Sequence, residues 1–274
     1  MRTNRLVIEA GKSESQYWRD LWQYRELFYF LAWRDLLVRY KQTAIGISWA
    51  LIRPIITMVV LTVVFGNLAK MDSGGVPYPI LVFAGLLPWQ FFSNALSESS
   101  NSLILNANMV SKVYFPRMIV PASSIIVSFV DFLISALILT GLMIYYQYLP
   151  DWRMLSLPLF VSIAFAAAMG GGLWLSALNV EYRDFRFLVP FIVQFGLYIS
   201  PVGFSSSVVP EEWRLLYSLN PMVGVIDGFR WAILGGDFQL YWPGFAVSVM
   251  LVFLLLWSGI WYFRKMERTF ADII

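Results

Sequence analysis

The 274-residue chain has no cysteine and no histidine, and only 14% of its residues are charged. Each shortage excludes chemistry. Without cysteine there is no disulfide framework, no thiolate metal site and no thiol nucleophile. Without histidine the commonest general base and metal ligand is missing. No cofactor is expected. A soluble domain is about a quarter charged. The low charge, the 59% hydrophobic content and a mean hydropathy of +0.66 therefore describe a chain solvated mostly by lipid. The net charge of +3 is no footprint for nucleic acid; its information lies in where the charges sit.

What is present is a series of apolar runs. The stretch Arg39 to Phe65 organises the rest: a basic patch, Arg39 and Lys41, leads into about twenty apolar residues. That is the length a helix needs to cross the ~30 Å hydrocarbon core. Before it, charges recur through Arg2, Arg5, Glu9, Lys12, Glu14 and Arg19, so no signal-peptide core is expected. Gly11-Lys12-Ser13 ends like a phosphate-binding loop, but Leu6 stands where the first glycine belongs, and a basic tail is the better reading. Residues 16–40 contain no proline or glycine. They place Trp18, Leu21, Phe28, Ala32 and Leu36 on one face, with Arg19, Glu26 and Arg34 roughly opposite, as in an amphipathic helix lying in the membrane interface.

Six spans are expected, at about 45–67, 78–96, 122–146, 154–178, 187–204 and 245–262. The fold class is an all-α membrane protein, with cytoplasmic N-terminus and interface helix over 1–40 and a transmembrane domain over 41–274. Span one carries Arg53, placed to snorkel toward the interface, and span three carries Asp131, expected to pair with Arg53 or with Ser124 and Ser128. Span four contains the small-residue patch from Ala164 to Trp174, which allows close helix approach. The polar segment 97–117 is long for a connector, and Ser97–Leu105 reads as a short helix across the membrane surface. In 205–240, Pro210-Glu211-Glu212 starts a helix, and Met222–Leu234 is too short and too polar to cross, with Asp227 and Arg230 inside it. Two short helices dipping into the outer leaflet are expected there. With the N-terminus inside, 15 lysines and arginines fall on inner segments and 4 on outer ones, which satisfies the positive-inside rule with both ends cytoplasmic.

Five stretches resemble, in order, the membrane subunits of bacterial polysaccharide-export ABC permeases (ABC-2 type; O-antigen, capsule and teichoic-acid exporters). They are Arg39–Thr43 through Gly46-Ile47-Ser48-Trp49 and Leu51–Pro54; Asn106–Pro121; Asn179–Arg186; Ser200-Pro201 with Leu219–Met222; and Phe263–Ile274. The resemblance implies a homodimer of half-transporters in the bacterial inner membrane, working with two copies of a separate ATPase subunit. It moves a lipid-linked polysaccharide and has no nucleotide site of its own. It also implies that the ATPase acts through 97–117, with Asn106, Met109, Val110 and Lys112 as contacts. Residues 205–240, with Trp213, Tyr217, Asp227 and Arg230, would form the outer gate. Aromatics make up 18% of the chain, and sugar rings stack on them through their C–H faces. Trp89, Phe92 and Tyr198 are the candidates for a glycan track, although many of the aromatics belong to interface belts. An ABC-2 permease for a drug or small lipophilic molecule is the alternative. A membrane-embedded enzyme on lipid-linked sugars ranks third, because the outer acidic pair, Glu211-Glu212, is adjacent on a helix and its members do not face each other.

Overall fold

The computed structural model describes residues 14–41, 47–149, 151–182, 184–236 and 238–270. The Gly11-Lys12-Ser13 tripeptide, the start of span one at Ile45, Arg183 and the last four residues of the C-terminal motif lie outside these ranges. The described residues form eleven α-helices: α1 (Glu14–Gln23), α2 (Arg25–Lys41), α3 (Ile47–Leu61), α4 (Tyr78–Leu105), α5 (Ala107–Lys112), α6 (Ile119–Tyr145), α7 (Leu157–Glu181), α8 (Phe185–Ile199), α9 (Glu211–Tyr217), α10 (Pro221–Leu234) and α11 (Trp242–Met266). No strand occurs among them. Helix α3 continues into wide π-type turns over Thr62–Leu68. Five of these segments are long and apolar enough to cross a bilayer, and α8 is a shorter apolar helix. The chain is a multi-pass, all-α membrane protein of about six spans.

Three expectations change. Residues 16–40 are helical as expected, with α1 and α2 meeting at Tyr24, whose N–H still donates to the Asp20 carbonyl at 3.0 Å, but the inward face of α2 narrows to Leu31 and Ala32, and Trp18 stands exposed. Ser97–Leu105 is not a separate surface helix. It is the last two turns of α4, because Ser99, Ser100 and Ser102 return their hydroxyls to carbonyls of their own helix and so bury without loss. The fifth span stops at Ile199 rather than 204, where Ser200-Pro201 breaks the helix.

Two cores hold the bundle. The larger one surrounds α4, whose residues Ile80 to Leu87 are all but sealed from solvent, with α6, α7 and α10 packed around it. A continuous apolar run on a helix fits burial on all sides. The smaller core lies at the α5 end. It joins Leu31 of α2, Leu103 of α4, Val110 of α5, Phe115, Leu173 and Ala177 of α7, and Phe263 and Phe270 at the end of α11. The small-residue patch serves close approach: a Cβ on Gly170 would stand 2.6 Å from the backbone nitrogen of Leu256, so α7 and α11 touch backbone to backbone.

That contact sets an expectation. Gly170→Val should separate α7 from α11 and lower stability by at least about 1–3 kcal/mol. Gly141→Ala, where a Cβ meets nothing within 4 Å, should be neutral or stabilising, since glycine costs about 1 kcal/mol relative to alanine within a helix. Thermal unfolding of the purified protein, followed by loss of the monodisperse chromatographic peak, separates the two.

Candidate functional site

The pieces singled out in the sequence meet in pairs. At the α5 end, Arg34 donates to Asn106 Oδ1 at 2.9 Å, and the Asn106 amide donates to the Ser102 carbonyl at 2.9 Å. Asn106 thus ends α4, starts α5 and is tied to α2. The Arg117 backbone N–H donates to Glu267 Oε1 at 2.6 Å, and its guanidinium donates to the Glu267 carbonyl, which joins the segment after α5 to the C-terminal motif. Burial pushes the Glu267 carboxyl above the usual carboxylate range. Asn179 donates to the Ser100 carbonyl at 2.9 Å and ties the end of α7 to α4. Of the four residues expected to meet an ATPase, Val110 is buried, and Asn106 is half-buried and held by Arg34. Met109 is half-buried and Lys112 exposed.

The intramembrane charges pair differently from expectation. Asp131 takes neither Arg53 nor the serines; Arg39 Nη1 reaches its Oδ2 at 2.6 Å, and the Tyr40 hydroxyl donates to Oδ1. The other arm of Arg39 pairs with Glu98. The reason is geometric. The C-terminal end of α2 lies across α4 and α6, and a planar guanidinium presents donors in two directions. Ser124 and Ser128 bond back to carbonyls of α6 at 3.3 and 3.4 Å. Arg53 lies 5.5 Å from the Trp49 ring centre as a cation–π pair, and among the described residues no carboxylate is within ion-pair distance of it. Arg39, Tyr40, Trp49, Arg53, Glu98, Ser128 and Asp131 line a cavity of about 670 Å³ between α2, α3, α4 and α6. Sequence reasoning missed Gln90, Asn94 and Glu98 of its wall. Their four-residue spacing, which puts them on one face of α4, was the available signal.

The aromatic candidates separate. Trp89 is 5% exposed and packs on Gly196 of α8, with the Phe92 ring 5.8 Å away. Tyr198 is exposed on α8 and does not join them.

At the other end, α10 is a buried helix rather than an interfacial one. Asn220 caps it, accepting from the Met222 N–H at 3.0 Å, and donates to Ser200 Oγ at 2.9 Å, which joins the two Ser-Pro and Asn-Pro breaks. Arg230 is 2% exposed. Its guanidinium donates to the carbonyls of Leu81 (3.2 Å), Phe204 (2.6 Å) and Val202 (2.8 Å), and the Tyr78 hydroxyl takes the carbonyl of Gly203 at 2.8 Å. Asp227 lines a smaller cavity of about 380 Å³ with Asp72, Arg214 and Arg230. The Tyr217 hydroxyl donates to the Ile199 carbonyl at 2.8 Å, while Trp213 is exposed.

Long apolar helices around a polar, charge-lined cavity, with unwound chain held at depth by side chains, define a membrane permease subunit. The chain belongs to the ABC-2 type transporter family, whose profile matches residues 26–234. It is 27% identical over 258 residues to the O-antigen export system permease protein RfbA of Myxococcus xanthus, covering 93% of this chain and 98% of that protein. An O-antigen export system permease protein RfbA of Klebsiella pneumoniae is 25% identical over 242 residues, covering 88% and 92%. The polysialic acid transport protein KpsM of Escherichia coli is 22% identical over 242 residues, covering 86% and 91%.

Two outcomes are expected. Arg39→Ala leaves Glu98 and Asp131 without their cation, and should destabilise by about 1–3 kcal/mol at this partly exposed position. Adding Asp131→Asn should recover part of that loss, which a double-mutant cycle of unfolding midpoints reads directly. Arg230→Met strands three carbonyls, those of Leu81 and Val202 buried and that of Phe204 half-buried, and should cost more, about 3 kcal/mol. Arg230→Lys should recover little, because an ammonium cannot span the three acceptors.

Proposed function

We propose that this chain is the channel-forming permease of a polysaccharide-export ABC transporter, moving a lipid-linked, O-antigen-like glycan across the bacterial inner membrane. The observation that carries this reading is the end-to-end match to permeases named for O-antigen export, 98% of one such relative being covered. Transport is driven by two copies of a separate ATPase subunit on a homodimer of this chain. The termini and the α5 end face the cytoplasm, in line with the 15-to-4 distribution of basic residues.

The geometry supports a division of labour. The exposed side of α5, with Asn108, Ser111 and Lys112, is the docking face for the ATPase, and Val110 seats the helix in the smaller core. A push on α5 passes through Asn106 to Arg34 and α2, and through α2 to Arg39 and the acids of α4 and α6. Residues 205–240, with Trp213, Tyr217, Asp227 and Arg230, form the outer gate. Trp89 and Phe92 position α8 beside α4, and Tyr198 is the aromatic left facing outward for a passing sugar.

The test is reconstitution of the chain with its ATPase in vesicles, with lipid-linked glycan supplied on the ATPase side. Glycan-stimulated hydrolysis and glycan in the lumen are expected. Hydrolysis that responds instead to small lipophilic compounds would replace this reading with a drug permease. Lys112→Glu should lower coupled transport several-fold with an unchanged unfolding midpoint, whereas Val110→Glu should lower the midpoint itself by burying an unpaired charge.

A further inference from the structure

The cavity of about 670 Å³ between α2, α3, α4 and α6 is large enough for a ligand of several rings. Three stripes of side chains converge on it. Helix α4 contributes Gln90, Asn94 and Glu98, each one turn after the last. Helix α6 contributes Ser128, Asp131 and Ser135, and α3 contributes Trp49 and Arg53. Tyr40, Phe91 and Phe132 add ring faces.

The chemistry of the lining narrows what fits. Two arginines face two carboxylates, so the wall as a whole is neutral. A phosphate or diphosphate group would gain nothing from such a wall as a whole: Arg53 attracts it, while the Arg39–Glu98–Asp131 cluster, with two acids to one base, repels it. An acyl chain would leave the polar stripes without partners, at a cost of about 1–3 kcal/mol for each buried group. The two amides are the informative groups. Gln90 is half-buried and Asn94 exposed on the cavity wall, and among the described residues neither side chain has a hydrogen-bond partner in the protein, so both amides are open to a ligand. A primary amide offers two donors and one acceptor, and here both point into a cavity also lined by aromatic rings. The complementary ligand brings hydroxyls that donate and accept, on a ring with apolar C–H faces.

We propose that this cavity binds neutral sugar residues of the transported glycan, with Gln90 and Asn94 as hydroxyl ligands and Trp49 as a stacking wall. The proposal rests on the polysaccharide-export reading and deepens it by assigning a sugar subsite within one protomer, spanned by α3 and α4. Arg39 is held by Glu98 and Asp131 at one side of the cavity, which leaves the amides of α4 as its uncharged hydrogen-bonding groups.

The experiment compares wild type with Gln90→Met and Asn94→Leu, which remove each amide at nearly constant volume. Each chain is reconstituted with its ATPase in vesicles. Two probes are titrated: the lipid-linked glycan extracted from the cells to which the chain is native, and the same carrier lipid stripped of its sugars. Loss of two hydroxyl contacts in the double variant should raise the half-saturating glycan concentration about tenfold, while the response to stripped carrier stays at the wild-type value. Should the double variant fail to assemble, Trp49→Leu serves in its place, with the same selective weakening expected. An unchanged half-saturating concentration, with wild type still stimulated, overturns the sugar subsite alone. Equal weakening toward both probes also overturns it, in favour of a carrier head-group site. A wild-type complex indifferent to glycan overturns the export reading, and the subsite falls with it.

Discussion

The guanidinium of Arg230 holds together a part of this protein that would otherwise be untenable in a membrane. Helix α8 ends after fifteen residues, about 22 Å of rise, short of the ~30 Å core. The chain beyond it is not helical, and its carbonyls have no ladder to join. Hydrocarbon offers them no water, so each needs a partner from the protein. Arg230 takes Val202 and Phe204, and Tyr78 takes Gly203 between them. The same arginine also takes Leu81 near the start of α4. One side chain therefore fastens α10, α4 and the unwound stretch, and its own charge is dispersed over carbonyl dipoles instead of being paired. Gly85 leaves the room: a Cβ there would lie 2.9 Å from Arg230 Nη2.

The opposite end solves the same problem with ion pairs. Arg39 brings a charge to the edge of the bundle and meets two carboxylates from different helices. The outcome is mechanical as much as energetic. Helix α2 lies outside the bundle of spans, yet through Arg34 and Arg39 it is bound to the start of α5, the end of α4 and the middle of α6. The tail of α11 closes the group through Glu267, bonded to Arg117, and through Phe263 and Phe270, which enter the same core as Leu31, Leu103 and Val110. An input at α5 therefore meets a block of linked helices rather than a loose loop.

Between these ends the cavity is lined from α3, α4 and α6, with Arg39 and Tyr40 of α2 at one side of it. Arg53, in the second turn of α3, stands over the Trp49 ring and faces the cavity. This arrangement places charge within a span without an adjacent acid, at a depth where a long side chain still reaches polar surroundings.

Apolar length, the bias of basic residues and the breaks at Ser200-Pro201 and Asn220-Pro221 were enough, in the sequence by itself, to determine a helical membrane protein of about six spans. These are local properties: a run of twenty apolar residues has the same meaning in any context, and proline removes a donor wherever it stands. Partner choice was not legible. Asp131 lies 78 residues from Arg53 in sequence and 92 from Arg39, and nothing in either spacing says which guanidinium arrives. Nor did the sequence say that the serines after Leu96 would extend α4, that Val110 would turn inward, or that Trp89 would be spent on packing against Gly196. Those outcomes depend on which helices lie side by side, and only tertiary packing decides that, because a buried polar group is settled by whatever comes within three ångströms of it.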